Sequence, residues 1–195
     1  MLVGVPQAAA TLLTIFLFYT MDFVLIHRYD KYRLASGSGR AWDFTLLIFG
    51  MVGALVLQPV LLPFLSLRTA AGWGLAIQIL GVMIILAALL LHIWSRVHLQ
   101  QFYAERVELQ PDHKVIDTGP YRYMRHPVIT SFFGIALGLL LINPALTTFG
   151  AFLYAIWDFT RAARQEEDLL NRTLRGYAEY AARTPRFLPR VWRIR

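Results

Sequence analysis

Two short stretches carry most of the side chains able to do chemistry. The first, TGPYRYMRHP from Thr118 to Pro127, sets Arg122, Arg125 and His126 among Tyr121 and Tyr123. The second runs from Arg161 through Arg164 and Gln165 to Glu166 and Glu167. An arginine fork grips a carboxylate or another anion, and a carboxylate suits an ammonium. A cation over an aromatic face gains about 0.5–2 kcal/mol. Taken singly, each stretch has a plainer reading. A Tyr-Arg loop beside a membrane contacts headgroups, a Glu-Glu pair beside arginines makes surface ion pairs, and Pro127 suits the first position of a helix.

The elements that must position these groups belong to a membrane. The chain has 195 residues, 57% hydrophobic and 16% charged, with a mean hydropathy of +0.50. Soluble domains carry roughly 25% charged residues. A spanning helix needs about 20 apolar residues, and the spans read as 5–26, 44–67 (with Pro59 and Pro63 disturbing its end), 70–95, 128–142 and 145–159. No charged side chain lies between Pro127 and Trp157, and Asn143-Pro144 near the middle of that run is a turn signal. The expected fold is therefore all-α and integral to the membrane, a single domain over 1–195. It has five transmembrane helices, the last two a short helical hairpin. A C-terminal amphipathic helix follows over 161–183, where Leu170, Leu174, Tyr177 and Ala181 form one apolar stripe.

Lysine and arginine set the orientation. They gather in the first loop (Arg28, Lys31, Arg33, Arg40), in the third (Arg96, Arg106, Lys114, Arg122, Arg125) and in the tail from Arg161 onward, whereas Arg68 stands alone in the second. The N-terminus is expected outside and the C-terminus in the cytoplasm, in a bacterial inner membrane. A hairpin over 128–159 returns to the face it left, so the two polar stretches become neighbours at the cytoplasmic surface.

The run H-x-V-I-x-x-G-x-Y-x-x-x-R-H-P from His113 to Pro127 resembles the signature of isoprenylcysteine carboxyl methyltransferases and their bacterial and phospholipid-methylating relatives. The tail is similar to the same family's C-terminal pattern: Arg161, Glu166-Glu167 with Leu170, Tyr177 with Tyr180, and Pro185-Arg186 with Pro189. The resemblance implies an enzyme that uses S-adenosylmethionine, leaving S-adenosylhomocysteine, with the cofactor region over about 100–127 and 161–189. It implies that His113, Lys114, Val115 and Ile116 line the cofactor, that Tyr121, His126 and Pro127 with Val128 and Ile129 complete the cradle, that Glu166 or Glu167 holds its amino or hydroxyl groups, and that Arg161 faces the acceptor's polar end. Arg125, as an arginine fork, suits either the cofactor's carboxylate or an anionic acceptor, which makes it with Arg161 a candidate catalytic residue and a candidate cofactor contact. The acceptor is lipophilic or small, a carboxylate, thiol or amine. Two departures stand out: Ile129 where the family often has Tyr, and Leu174-Arg175-Gly176 where it often has Phe-Gly.

Two rival readings remain. Membrane sterol-type reductases, which bind NADPH, also carry R-H-P near a C-terminal helix pair, and a non-catalytic subunit would use its histidines for haem or quinone. His92 and His98 are six apart and do not share a helix face, so each reads as a packed or interfacial histidine. Asp22 and Asp158 lie near span ends and need no proton-relay role. The net charge of +7 sits in blocks beside apolar runs, which fits membrane lipids and not nucleic acid. With no cysteine and no H-x-x-x-H, no metal is expected.

Overall fold

The computed structural model describes residues 2–29, 42–67, 73–100 and 115–189. Its helices are α1 (Val5–Tyr29), α2 (Trp42–Leu61), α3 (Trp73–Leu99), α4 (Pro127–Ile142), α5 (Leu146–Thr173) and α6 (Tyr177–Arg183), with 3₁₀ turns at Pro63–Leu65 and Gly119–Arg122. Among the described residues the sole β feature is an isolated bridge between Ser66 and Ala145. Helices α1 and α3 are long and apolar enough to cross a membrane. Their outward faces carry Leu13, Phe16, Leu86 and Leu90, all exposed, as a lipid-facing surface requires.

The tightest packing joins α3 to α4 through small residues. A Cβ placed on Gly138 would stand 2.5 Å from Ile85 Cγ1 and 2.7 Å from the Gly81 carbonyl oxygen, and one on Gly134 would stand 2.8 Å from Ala88 Cβ. Small residues let helix backbones approach closely where lipid removes the usual hydrophobic drive. Ile85, Leu89 and Ile142 form the buried centre, with Ala10, Phe18 and Met21 of α1 packed on it.

Polar side chains tie the far end of the bundle. Asn143 Nδ2 donates to Gln58 Oε1 at 2.8 Å, and Gln7 and Gln78 both donate to the Ile142 carbonyl oxygen. The backbone N–H of Leu67 donates to the Pro144 carbonyl at 2.7 Å. Buried amides satisfied in this way hold the turn between α4 and α5 without exposing backbone to lipid.

Three boundaries differ from the sequence expectation. Helix α2 keeps Pro59 inside but ends at Leu61, short of Leu67. Helix α3 runs on to Leu99, so Arg96 sits fully buried within it and not in a loop. The second arm of the pair does not stop at 157–159. It continues as one helix to Thr173 because nothing between Trp157 and Leu174 breaks it, and the amphipathic stretch over 161–183 divides instead at Gly176 (φ +85°). A positive φ there suits glycine, which lacks the Cβ that clashes in the left-handed region.

Candidate functional site

The polar end of the bundle is assembled from four pieces of chain. Pro127 opens α4 and His126 caps it. Gly119 adopts a φ of +58°, and the His98 ring from α3 lies so close that an added Cβ would stand 2.4 Å from it. The loop is thereby pressed onto α3. From the tail, Tyr180 Oη donates to the Tyr121 carbonyl oxygen at 2.7 Å, and both tyrosines are buried. Residues 185–187 then run along the start of α4. The N–H groups of Arg125 and His126 donate to the carbonyls of Pro185 and Arg186 at 2.9 and 3.0 Å, and Thr130 Oγ1 donates to the Phe187 carbonyl at 2.8 Å.

Glu167 of α5 is the centre of this knot. Its Oε1 accepts from His126 Nε2 at 2.9 Å and lies 3.2 Å from Arg125 Nε. Arg186 forks onto both oxygens through Nε and Nη2. Burial alone would raise this carboxyl, but the hydrogen bonds from His126 and Arg186 and the nearby charges of His126 and Arg125 outweigh it, holding the group at about 2. Glu166, one residue earlier, is different: 47% of its side chain is exposed and its Oε2 lies 3.6 Å from His126 Nδ1. Beneath the knot, Leu170, Tyr177 and Tyr180 cluster with Val115, Leu174 and Ala181. A cleft lined by Val115, Asp117, Leu174, Gly176, Tyr180 and Arg183 opens beside this cluster, closed at one edge by the Arg183–Asp117 ion pair at 2.8 Å.

The structure thus brings together Tyr121, Arg125, His126, Pro127, Glu166 and Glu167, with Val115 and Ile116 leading into the same region. Arg161 is not in contact with them. It is exposed and lies over the Trp157 ring at 5.7 Å. His113 and Lys114 lie outside the described residues. Sequence reasoning placed Arg186 in a pattern but gave it no role; its signal was a single arginine between Pro185 and Pro189.

A second group was missed altogether. Deeper along α3, His92 and Arg96 are both fully buried, and each approaches Asp22 Oδ1 of α1 at 3.8 Å. They are four residues apart, hence on one helix face, and that spacing was the available signal.

Comparison with known proteins gives consistent results. The model of the isoprenylcysteine carboxyl methyltransferase (ICMT) family matches residues 79–172. The chain is 27% identical to protein-S-isoprenylcysteine O-methyltransferase B of Arabidopsis thaliana over 198 aligned positions, covering 96% of this chain and 95% of that one. It is 35% identical over 80 residues to the nickel-cobalt-cadmium resistance protein NccN of Alcaligenes xylosoxydans xylosoxydans, a match spanning 37% of that protein. The solved eukaryotic intramembrane Ras methyltransferase ICMT superposes with a TM-score of 0.68 at 18% identity, over 96% of this chain and 67% of that one. At that identity the likeness speaks for the fold.

Proposed function

We propose that the chain, similar to the isoprenylcysteine carboxyl methyltransferase family over residues 79–172 and to a plant member along nearly its whole length, is a membrane methyltransferase that methylates a lipophilic or small acceptor with S-adenosylmethionine at the cytoplasmic membrane face. The observation that carries this reading is the knot itself. Glu167, His126 and Arg186 weld the loop over 118–127 to the tail, which leaves one carboxylate and an arginine edge beside an aromatic wall.

The residues fit the cofactor's parts. Glu167 is consumed by its three partners, so Glu166, half exposed beside His126, is the carboxylate available to the cofactor's ammonium or ribose hydroxyls. Arg125 Nε is buried without a well-aligned hydrogen bond, and its guanidinium faces the cofactor's carboxylate. Val115 lines the cleft and, with Ile116, lines the cofactor there. Tyr121 is held by Tyr180 and keeps the wall in place. When bound, S-adenosylmethionine supplies an electrophilic methyl group on a sulfonium. The protein's task is alignment, worth up to about 7–11 kcal/mol in favourable cases, and exclusion of water. Arg161, exposed on α5, meets the acceptor's polar end. The two-sided position, between a polar loop and apolar helices, lets a water-soluble cofactor meet an acceptor arriving from the bilayer.

Calorimetric titration of the purified chain with S-adenosylmethionine and, separately, NADPH tests this. S-adenosylmethionine binding that Arg125→Ala or Glu166→Gln weakens at least about tenfold, the scale of one lost charge-assisted hydrogen bond, supports it. Binding of NADPH alone would move the chain to the reductases.

A further inference from the structure

Of the two tyrosines on α6, packing accounts for only one. Tyr180 Oη donates to the Tyr121 carbonyl oxygen at 2.7 Å and so latches the loop. The Tyr177 ring lies 5.8 Å from that of Tyr180, centroid to centroid, and packs with Leu170 and Leu174. Only 4% of the residue is exposed. A phenylalanine would fill that space as well. The hydroxyl, by contrast, makes no hydrogen bond among the described residues. It is not one of the unpaired atoms sealed from solvent, so its oxygen keeps access to open space.

The groups around this hydroxyl define what it can bind. Arg125 stands over the same short helix: its Nη1 donates to the Ala181 carbonyl oxygen at 3.3 Å. Ala181 is four residues beyond Tyr177, hence on the same face of α6. Arg125 Nε lies 3.2 Å from Glu167 Oε1 without aligning as a hydrogen bond. Glu167 already takes His126 and Arg186, so the charge of Arg125 is not spent on it. Burial, then the charges of Glu167 and Glu166, pushes the Tyr177 phenol above its ordinary value, and Arg125 draws it back only in part. The phenol therefore keeps its proton and serves as a donor, not as a base. A hydroxyl donor beside a guanidinium is the complement of a carboxylate, whose oxygens only accept and whose charge strengthens both bonds. A ribose oxygen or a ring nitrogen would use the hydroxyl but waste the guanidinium.

Resting on the S-adenosylmethionine reading above, we propose that Tyr177 Oη and Arg125 together clasp the carboxylate of the cofactor's methionine moiety. The ammonium sits on the same carbon as that carboxylate, and Glu166 is the carboxylate the knot leaves for it. A short methylene arm joins this end of the cofactor to the sulfonium, so the clasp also fixes where the methyl group points.

The test compares two ligands on the full chain in nanodiscs: S-adenosylmethionine and its decarboxylated analogue, in which a hydrogen replaces the carboxylate. Tyr177→Phe keeps the buried ring and removes only an unpartnered oxygen, so the melting temperature without ligand should match wild type. In calorimetric titration the variant should bind S-adenosylmethionine about ten- to a hundredfold more weakly, the scale of one hydrogen bond to a charged group. Its affinity for the analogue should equal that of wild type. Unchanged S-adenosylmethionine binding in Tyr177→Phe overturns the proposal. Equal weakening for both ligands also overturns it, because a structural role does not distinguish them. A wild-type chain that binds no S-adenosylmethionine sinks the function proposed earlier and the clasp with it; a wild-type chain that binds while Tyr177→Phe is unaffected sinks the clasp alone.

Discussion

Glu166 and Glu167 are adjacent on α5 yet meet different surroundings, and substitution should separate them. Glu167→Gln leaves His126, Arg125 and Arg186 without their carboxylate, and loss of such a partly buried charge-assisted set should cost about 1–3 kcal/mol, read as a lower melting temperature in detergent. Glu166→Gln should stay within about 0.5 kcal/mol of wild type while weakening S-adenosylmethionine binding. Acid should act through Glu167. Its folded value of about 2 lies below the ordinary carboxylate value of 4.5, so its contribution is complete above about 4.5 and fades as pH falls towards 2. Melting temperature followed over that window should drop more steeply in wild type than in Glu167→Gln. The sequence offered both glutamates as equals, because one helical position decides which oxygen meets His126 and Arg186, and that depends on where the tail strap runs.

Helix contacts make their own predictions. Gly138→Ala drives a Cβ into Ile85 and the Gly81 backbone, and such overpacking should cost about 1–3 kcal/mol, measured by unfolding in mixed micelles. Gly150→Ala meets nothing within 4 Å and should be neutral or slightly stabilising, since alanine favours helix by about 1 kcal/mol. Gly176→Ala also meets open space, but its φ of +85° should cost about 1–2 kcal/mol and loosen α6 from Tyr121. At this scale the apolar runs and the Asn143-Pro144 turn were legible. The continuity of α5 was not: the switch from apolar to charged residues after Trp157 marks a change of solvent, and no residue there interrupts backbone hydrogen bonding. The Asp22–His92–Arg96 group was hidden for a related reason. Comparing histidine with histidine passed over the arginine four residues along the same face.

Across the whole molecule, the amide-rich end and the arginine-rich end lie at opposite ends of one bundle. Because the chain has no cysteine, single introduced thiols report sidedness cleanly. Leu146→Cys, at an exposed position, should react with an impermeant maleimide in intact cells, and Gln165→Cys only after permeabilisation. The reverse pattern would invert the orientation proposed here. The blocks of basic residues are the ground for this orientation. The acceptor class was not legible, because composition and spacing do not choose among a carboxylate, a thiol and an amine.

The strap over 185–187 has a consequence for how the protein matures. It follows every described helix in the chain, yet it supplies the carbonyls for Arg125 and His126 and the guanidinium for Glu167. A chain truncated before Pro185 would retain its helices but lack these carbonyls and this guanidinium, leaving the loop over 118–127 unlatched. A lesion in the strap should therefore yield a membrane-resident but idle polypeptide.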